Sequence, residues 1–366
     1  MLWISDQKKR RFRLHFHPIV RTSNELNMPF TRNILILVTI FTVFSNASIA
    51  GTSNSNHVTF DNWVERVKKQ AQDQGISPST LDSAFSNLKQ VQIGTSGNKT
   101  LSGEQFPNYS LADNRVNNHK RMITHYSNVL FEIKHLFGVN PEVIVALWGT
   151  DNTYNQNKKQ YPVIDVLTSM SYKQPANSSL KNELFQALKI IDEGRVSTLQ
   201  MKSDFNGNLG STPFKPTTFR NYAIDYDGDG KFDIWQNHAD IFASTANYLN
   251  NIGWKTGEPW GIEIKLPPNF ESTQIGLNQQ RKISRWQDLG IRMPNGSDLP
   301  QMTSSMGSII QPGTHLSKSY LVFDNYFALL RWKRSQQFAF AVGMMADKIK
   351  QPAGTTPMAP FADVSQ

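Results

Sequence analysis

The stretch MITHYSNVLFEIKHLFGVNPEVIVALW, residues 122–148, carries the strongest structural signal in the chain. Between Met122 and Phe137 its apolar residues recur every three or four positions, the spacing that places them on one face of an α-helix. Gly138 predicts the end of that helix, and Asn140-Pro141-Glu142 predicts the start of a second one, Val143 to Trp148. Two successive apolar helices favour a mainly α-helical fold.

Further helices are predicted on both sides of this stretch. Asp61 is a predicted N-cap, and Ser77-Pro78 is typical of a capped helix start. Apolar periodicity predicts three more helices, Ser179–Glu193, Ile241–Ile252 and Phe327–Ile349. Residues 91–113 are polar and predict a loop, whereas residues 262–325 contain the short apolar runs IEIKL and YLVF and predict a small β element. The expected class is therefore mainly α, with an α+β character.

The composition excludes several classes of protein. The 366 residues include no cysteine, which excludes disulfide frameworks, zinc knuckles, thiol catalysis and an acylated lipobox cysteine. The net charge is +9, and residues 1–50 supply five of those charges with seven basic and two acidic side chains. No dense basic stripe follows, so we expect no nucleic-acid partner.

Residues 1–50 have the layout of a secretory leader. The apolar run Ile34–Phe44 is too short to span a bilayer as a helix, and Ser48-Ile49-Ala50 offers small residues at a cleavage site. We expect translation to start at Met28, with residues 1–27 as an upstream extension; an uncleaved membrane anchor is the alternative. The prediction is an exported protein of a Gram-negative periplasm, with no stable transmembrane segment. Its domain would span residues 51–350 and its flexible tail residues 351–366.

The most specific local motif is DYDGDGKFDIWQ, residues 225–236, which we call the aspartate loop. Acidic residues occupy positions 1, 3, 5 and 9 of a calcium loop of EF-hand type, and glycine occupies position 6. Lys231 at position 7 offers only its backbone carbonyl, and Gln236 stands at position 12, where a bidentate glutamate is usual. The predicted ligands of a structural Ca²⁺ are Asp225, Asp227, Asp229, Lys231, Asp233 and Gln236. A metal-free solvated turn is the alternative interpretation.

Seven segments taken in order resemble the B-type membrane-bound lytic transglycosylases. They are ALWGTDNTY (146–154), YPVIDVLTSMSY (161–172), LKIIDEG (188–194), GNLGSTPFKPTTF (207–219), YAIDYDGDGKFDIW (222–235), NYLNNIGWKTGEPWG (247–261) and LLRWKRSQQFAFAVGMMAD (329–347). The resemblance covers roughly residues 60–350. It implies a lysozyme-like core with elongated helical lobes and an enzyme that cleaves peptidoglycan.

The resemblance also implies a mechanism with one carboxyl group. A glutamic acid at the end of a buried helix protonates the bond between MurNAc and GlcNAc, and then takes a proton from the MurNAc C6 hydroxyl, which closes a 1,6-anhydro ring. The matching residue here is Asp151, after Trp148-Gly149. It is interpreted either as this acid/base or as a loop residue hydrogen-bonded to nearby backbone. Trp148 itself is expected to pack in the core.

Other positions depart from the family pattern. Asp204 stands where the family has a serine near the catalytic carboxyl, and it either supports or replaces Asp151 or is a solvated loop acid. Pro213 stands in place of a glutamine. The expected substrate-binding residues are Asp204, Tyr154, Trp332, Lys333 and Phe338, with core packing as the alternative for Tyr154 and Trp332.

Two functions follow from this pattern. One is a periplasmic lytic transglycosylase with Asp151 as its acid/base, acting on peptidoglycan glycan strands. The other is a weakly active or inactive protein of the same fold that binds peptidoglycan and positions other cell-wall enzymes.

Overall fold

The structure is a computed structural model that describes residues 59–92, 113–152, 160–301, 306–312 and 318–350, with only the backbone of residues 151 and 152. The described residues from Phe60 onward form one compact unit. The expected leader at residues 1–50, its start at Met28 and the tail at residues 351–366 lie outside the described residues, so they stay predictions. Within the described part, no helix has both the length and the apolar character needed to cross a membrane.

Helices dominate the described chain. They are α1 (Phe60–Asp73), α2 (Pro78–Phe85), α3 (Asp113–His125), α4 (Ser127–Phe137), α5 (Pro141–Asn152), α6 (Val163–Lys173), α7 (Ser178–Asp192), α8 (Pro216–Tyr222), α9 (His238–Asn251), α10 (Ile283–Asp288), α11 (Asp324–Trp332) and α12 (Gln336–Lys350). The mainly α-helical class predicted from sequence is therefore confirmed.

The strands are short and antiparallel. They are β1 (Tyr161–Pro162), β2 (Lys202–Ser203), β3 (Gly261–Ile264), β4 (Arg281–Lys282), β5 (Met306–Ile310) and β6 (Ser319–Val322). Strands β1 and β2 form a pair, and the other four form a sheet in the order β3-β6-β5-β4. This sheet is the β element predicted between residues 262 and 325. Trp286 of α10 is fully buried beneath it and donates its indole N–H to the carbonyl of Gly307 at 2.8 Å.

Helix α5 lies at the centre of the helical part. It packs against α3, α4, α9 and α12, and its residues 144–147 are 0% exposed. Residues 143–147 are all apolar, as expected for the part of a helix that is buried on all sides. Each large apolar side chain buried here contributes about 1.5–3 kcal/mol to folding. The helix is thus a rigid support for the residues at its carboxyl end.

Local end signals predicted several boundaries correctly. The Ser77 side chain accepts a hydrogen bond from the Thr80 N–H and caps α2, with Pro78 at the first helical position. Gly138 ends α4 with φ 71°, a left-handed conformation that costs glycine little. Pro141 begins α5, which continues past the predicted end at Trp148 to Asn152.

Other predicted boundaries were wrong. The predicted helix from Met122 to Phe137 is two helices, because α3 already begins at Asp113 and the backbone breaks at Tyr126 (φ −102°, ψ 24°). The Tyr126 ring stacks on His238 at 5.0 Å, so a tertiary contact accompanies the break, which the apolar spacing does not reveal. Helix α1 begins at Phe60, which places Asp61 inside the first turn. Of the loop predicted at residues 91–113, residues 93–112 lie outside the described part.

The predicted helix Phe327–Ile349 is also two helices, α11 and α12. The break lies at Lys333–Ser335, where the Ser335 hydroxyl accepts a hydrogen bond from the Phe338 N–H at 3.2 Å. Ser335 is therefore an N-cap. The apolar periodicity continues across it, and that periodicity favoured one long helix.

Candidate active site

The carboxyl end of α5 is the candidate catalytic position. Gly149 and Thr150 are buried, and Asp151 follows in the last turn of the helix rather than in a loop. The side chain of Asp151 and the whole of Tyr154 lie outside the described residues, so their predicted roles stay predictions. The backbone geometry nevertheless places Asp151 at the end of the most buried helix.

Two side chains of α3 hold this helix end, and sequence reasoning missed both. Arg115 donates from Nη2 to the Gly149 carbonyl at 3.3 Å. His119 packs against Gly149 so closely that a Cβ atom on the glycine would fall 1.5 Å from its Nε2 atom. Burial lowers the pKa of His119 to about 4, so the imidazole is neutral near pH 7.

An unpaired polar atom lies at the same place. Among the described residues, Oγ1 of Thr150 is buried without a hydrogen-bond partner, as are the hydroxyl oxygens of Thr168, Ser171 and Ser203 elsewhere. Native proteins leave few buried polar atoms unpaired, so Thr150 is compatible with a polar site at this helix end.

The loop at residues 203–214 is linked to α5. Trp148 donates its indole N–H to the Ser211 hydroxyl at 2.9 Å, and its ring contacts His238 and Phe242. These contacts fit the expected packing role of Trp148, which is half-buried.

Asp204 lies in this loop. Its carboxylate accepts three hydrogen bonds, from the backbone N–H groups of Asn206 and Asn208 and from the Asn208 side-chain amide, at 2.8–3.0 Å. In the structure, Asp204 therefore stabilises its own turn. Its use in substrate binding stays a prediction.

Three half-buried aromatic rings form an aromatic patch, which we define as Tyr222, Tyr248 and Trp332. The ring centroids of Tyr222 and Tyr248 are 4.9 Å apart, and those of Tyr248 and Trp332 are 5.0 Å apart. Trp332 also contacts Phe214, which lies in the same loop as Ser211. Sequence reasoning singled out Trp332 but missed the two tyrosines, since α8, α9 and α11 come together only in the folded chain.

The prediction for Phe338 needs a correction. Its side chain is 1% exposed, so it is a core residue and offers almost no surface to a sugar. Its backbone N–H donates to the Ser335 cap, and its side chain faces the core. Lys333 is exposed, with its Nζ atom 4.5 Å from the Phe338 ring centroid. Lys333 is thus accessible to a ligand, and the buried Phe338 ring packs against its ammonium group.

The aspartate loop has part of the geometry that a cation requires. Carboxylate oxygens of Asp225, Asp227 and Asp229 lie within 4.8 Å of one another. The glycines of the loop at 228 and 230 have φ of 76° and 89°, which lets the chain turn around that point. Asp233 instead accepts hydrogen bonds from the N–H groups of Trp235 and Gln236. Three converging carboxylates fit a hard cation such as Ca²⁺.

Buried groups hold the aspartate loop against the helices. Asp240 of α9 accepts hydrogen bonds from the N–H groups of Tyr226 and Asp233, at 2.7 and 2.9 Å. Burial raises the pKa of Asp240 to about 7, and the charges of Asp227 and Asp225 act in the same direction. The Tyr226 hydroxyl donates to Glu132 of α4 at 2.6 Å. The loop is therefore fixed to two helices that both pack on α5.

The fold agrees with that of known proteins. The crystal structure of SltB3 from Pseudomonas aeruginosa in complex with NAG-anhNAM-pentapeptide has a TM-score of 0.75 and 31% identity, with 80% of each chain covered. SltB3 in complex with NAG-NAM-pentapeptide gives a TM-score of 0.75 and 30% identity, with 83% of this chain and 84% of that chain covered. The Escherichia coli lytic transglycosylase Slt35 in complex with calcium has a TM-score of 0.66 at 20% identity, covering 82% and 94% of the two chains, and shows the fold alone.

The sequence agrees as well. Membrane-bound lytic murein transglycosylase B of Escherichia coli (strain K12) is 24% identical over 227 residues, which are 61% of this chain and 61% of that relative. The fold is that of the lysozyme-like transglycosylases. The profile of the family described as "Transglycosylase SLT domain" matches residues 59–347, and the chain belongs to that family.

Proposed function

We propose that the chain is a lytic transglycosylase that cleaves the MurNAc–GlcNAc bond of peptidoglycan, with Asp151 as its single acid/base. The observation that carries this proposal is the position of Asp151, in the last turn of a helix buried on all sides. A general acid requires a carboxyl group with a raised pKa, which a site poor in water would supply. Family membership supports the same reaction class.

The reaction needs no second carboxylate. Asp151 first donates its proton to the glycosidic oxygen, and the GlcNAc side leaves as an alcohol. The MurNAc C6 hydroxyl then attacks C1, and its proton returns to the Asp151 carboxylate. The product is a 1,6-anhydro ring, no water is consumed, and the acid is regenerated. Ordinary glycosidases instead use two carboxylates.

The length of the acid matters for the rate. Aspartate is one methylene shorter than glutamate, which withdraws the carboxyl by about 1.5 Å. A misplacement of about 1 Å can reduce a rate on the order of 100-fold. We therefore expect slow turnover unless the helix end lies closer to the sugar than in relatives with glutamate. Rigid support of that end by Arg115 and His119 favours a precise position.

The aromatic patch is the proposed sugar platform. Half-buried Trp332 and Tyr248 present ring surface at low conformational cost, and sugars stack on such rings through their apolar faces. Lys333 and Tyr154 are proposed to lie beside the glycan, and Asp204 to shape the loop that borders it. Phe338 is excluded from direct contact by its burial.

Calcium is proposed as a structural ion of the aspartate loop. It would be held by Asp225, Asp227 and Asp229, with Asp233, the Lys231 carbonyl and Gln236 completing its ligands. The Slt35 structure contains calcium in a protein of the same fold. The ion would stabilise the loop and take no part in proton transfer.

The setting of the proposed reaction is the periplasm of a Gram-negative bacterium. The substrate, peptidoglycan, lies there, and the two SltB3 structures were obtained with glycan-pentapeptide ligands. Export would use the leader at residues 1–50. Other cell-wall enzymes are proposed partners at the same substrate.

The test is digestion of purified murein sacculi by the exported form. The unmodified chain is expected to release 1,6-anhydromuropeptides, Asp151→Asn to abolish their release, and Asp151→Glu to raise it on the order of 100-fold. Asp82→Asn, at an exposed position of α2, is the matched control and keeps the wild-type rate. Wild-type product release by Asp151→Asn, with loss in Asp204→Asn, would transfer the role to Asp204.

A glycan-binding protein without turnover is the second candidate. The shortened acid withdraws its carboxyl from the sugar, Pro213 lacks the side-chain amide of the family's glutamine, and buried Phe338 offers no ring surface to the sugar. Pelleting with sacculi, with no anhydro product from either the wild type or Asp151→Glu, would establish this function instead.

A further inference from the structure

The last turn of α5 has a charged neighbour on α3. Arg115 lies in the first turn of α3, and its guanidinium donates from Nη2 to the Gly149 carbonyl at 3.3 Å. Asp151 follows Gly149 in the same turn of α5, and about 5.4 Å separates the Cα atoms of two such residues in a regular helix. The charge of Arg115 is therefore held beside the backbone that carries the proposed acid.

The backbone of α5 acts on that acid in the opposite direction. The carbonyl groups at the carboxyl end of a helix carry a partial negative charge, equivalent to roughly half an elementary charge. This charge repels a carboxylate in the last turn, and burial of the turn also disfavours the charged form. Gly149 and Thr150 are buried there. Both effects make a carboxylic acid at this place a weaker proton donor.

Arg115 supplies the counteracting charge. A cation close to a carboxyl group favours the carboxylate and so strengthens the acid. Burial lowers the pKa of His119, and the charge of Arg115 acts on it in the same direction. Because the His119 ring contacts Gly149, the field of Arg115 reaches this turn. His119 itself is neutral near pH 7 and adds no charge.

The other charged residues of α3 and α4 are placed differently. On α4, Glu132 accepts a hydrogen bond from the Tyr226 hydroxyl at 2.6 Å, and its two other charged or titratable residues are exposed, Lys134 and His135. Those of α3 lie roughly 80° or more around the helix from Arg115, namely Asp113, Lys120, Arg121 and His125. These described groups therefore do not replace the charge of Arg115 at Gly149.

The elements on the other sides of α5 leave the same charge in place. His238 of α9 contacts the tryptophan ring of α5, and burial lowers its pKa, so it is neutral near pH 7. Asp240 of α9 is bonded to the aspartate loop, and Asp204 to its own turn. Helix α12 has no charged residue before Asp347, whose carboxylate accepts an indole N–H from outside α5. Within the described ranges, Arg115 is thus the charged side chain that contacts the last turn of α5.

We propose that Arg115 is a positioning residue that sets the acid strength of Asp151. Its guanidinium, fixed on Gly149, offsets the negative end of α5, so that one carboxyl group both donates its proton to the glycosidic oxygen and takes one from the C6 hydroxyl. A group with both tasks works best when neither of its forms is strongly favoured near the working pH. This role rests on the proposed function of Asp151 and requires no contact between Arg115 and sugar.

The first test is the pH dependence of sacculus digestion by the full exported chain, followed through the initial rate at low substrate, which is proportional to kcat/KM. The first step requires protonated Asp151, so this rate falls as pH rises through its titration. Arg115→Gln removes the charge and is expected to move this alkaline limb upward by about 0.5–1 pH unit. A purely structural role of Arg115 would lower the rate at every pH and leave the limb where it is.

Two further variants complete this test. Arg115→Lys keeps the charge and is expected to keep the wild-type limb, which also tests the proposal in a variant that preserves the cation at the helix end. Arg66→Gln, at an exposed position of α1, is the matched control and should change neither the rate nor the limb. An upward shift in Arg115→Lys as large as in Arg115→Gln would show that the charge is not what matters.

The second test follows the Asp151 carboxyl carbon by ¹³C NMR and needs no turnover. Its signal is identified by its loss in Asp151→Asn, and in Arg115→Gln it should titrate about 0.5–1 pH unit higher than in the wild type. An unchanged titration would overturn the role of Arg115, even in a chain that cleaves glycan. A shifted titration in a chain that releases no anhydro product would keep that role and remove the proposed function.

Discussion

Among single residues, Gly149 carries the tightest structural constraint near the proposed acid. It lies two residues before Asp151, and the His119 imidazole fills the space that a side chain would need. Arg115 binds the Gly149 carbonyl from the same helix, α3. Both contacts act on the backbone that carries Asp151. A methyl group at position 149 would therefore displace the backbone that carries Asp151.

Gly149→Ala is expected to destabilise the fold by about 1–3 kcal/mol, because the new Cβ overlaps His119. The same change should cost less in a His119→Ala background, since the clashing ring is gone, with a coupling of about 0.5–3 kcal/mol. Urea unfolding of the four proteins of this cycle measures both values.

His135→Ala provides the control background, because His135 is exposed on α4. There Gly149→Ala should cost as much as in the wild type. An equal cost in the His119→Ala background would show that the two residues do not compete for one space. In the cleavage assay, Gly149→Ala should lower the maximal rate more than it weakens binding to sacculi.

At the level of elements, the aspartate loop joins α8 to α9 and is fixed at both ends. Asn237 caps α9 by accepting hydrogen bonds from the N–H groups of Ala239 and Asp240, and its amide donates to Asp227 at 2.8 Å. This donation lowers the pKa of Asp227 and keeps it ionised. One N-cap residue thus links helix α9 to the proposed cation ligands.

Calcium is expected to raise the melting temperature of the wild type, since an ion that binds only the folded chain adds about 2.7 kcal/mol at 100 times its Kd. Asp227→Asn keeps the size and acceptor oxygen of the side chain but removes its charge, so the calcium-induced rise should shrink. Differential scanning calorimetry with and without calcium measures the effect.

Asp82→Asn serves again as the control and should keep the full calcium response. An unchanged melting temperature of the wild type at millimolar calcium would mean that the loop is a metal-free turn. A full response in Asp227→Asn would place the ion elsewhere.

On the scale of the whole molecule, buried histidine makes stability depend on pH. The pKa of His119 is about 4 in the folded state against 6.5 in its unperturbed state. Between these values the unfolded chain binds the proton and the folded chain does not. The contribution of His119 to stability therefore falls as pH decreases from about 6.5 to about 4, whereas Asp240, whose pKa is raised to about 7, acts in the opposite direction over this range.

The size of this effect is about 3 kcal/mol for a shift of this magnitude. Unfolding free energies of the wild type and His119→Gln at several pH values from 4 to 7 test it, and the variant should lack that part of the slope. His135→Gln should keep the wild-type slope. Parallel slopes in wild type and His119→Gln would contradict a neutral, buried His119.

The sequence by itself determined what depends on neighbours along the chain. The cap at Ser77, the stop at Gly138, the start at Pro141 and the β-forming runs act over a few residues, so their meaning does not depend on the rest of the fold. The ordered set of segments between residues 146 and 347 also indicates the family.

Only the tertiary structure decided which faces of these elements meet. The apolar periodicity continues through Tyr126 and Ser335, where the helices break. The contacts made at these two breaks come from α9 and from the turn before α12. Phe338 proved to be buried, and Tyr248 joined Trp332, because exposure depends on the packing of helices far apart in sequence. The pairing of His119 with Gly149 is of the same kind: thirty positions separate the two residues, and only the packing of α3 on α5 brings them together.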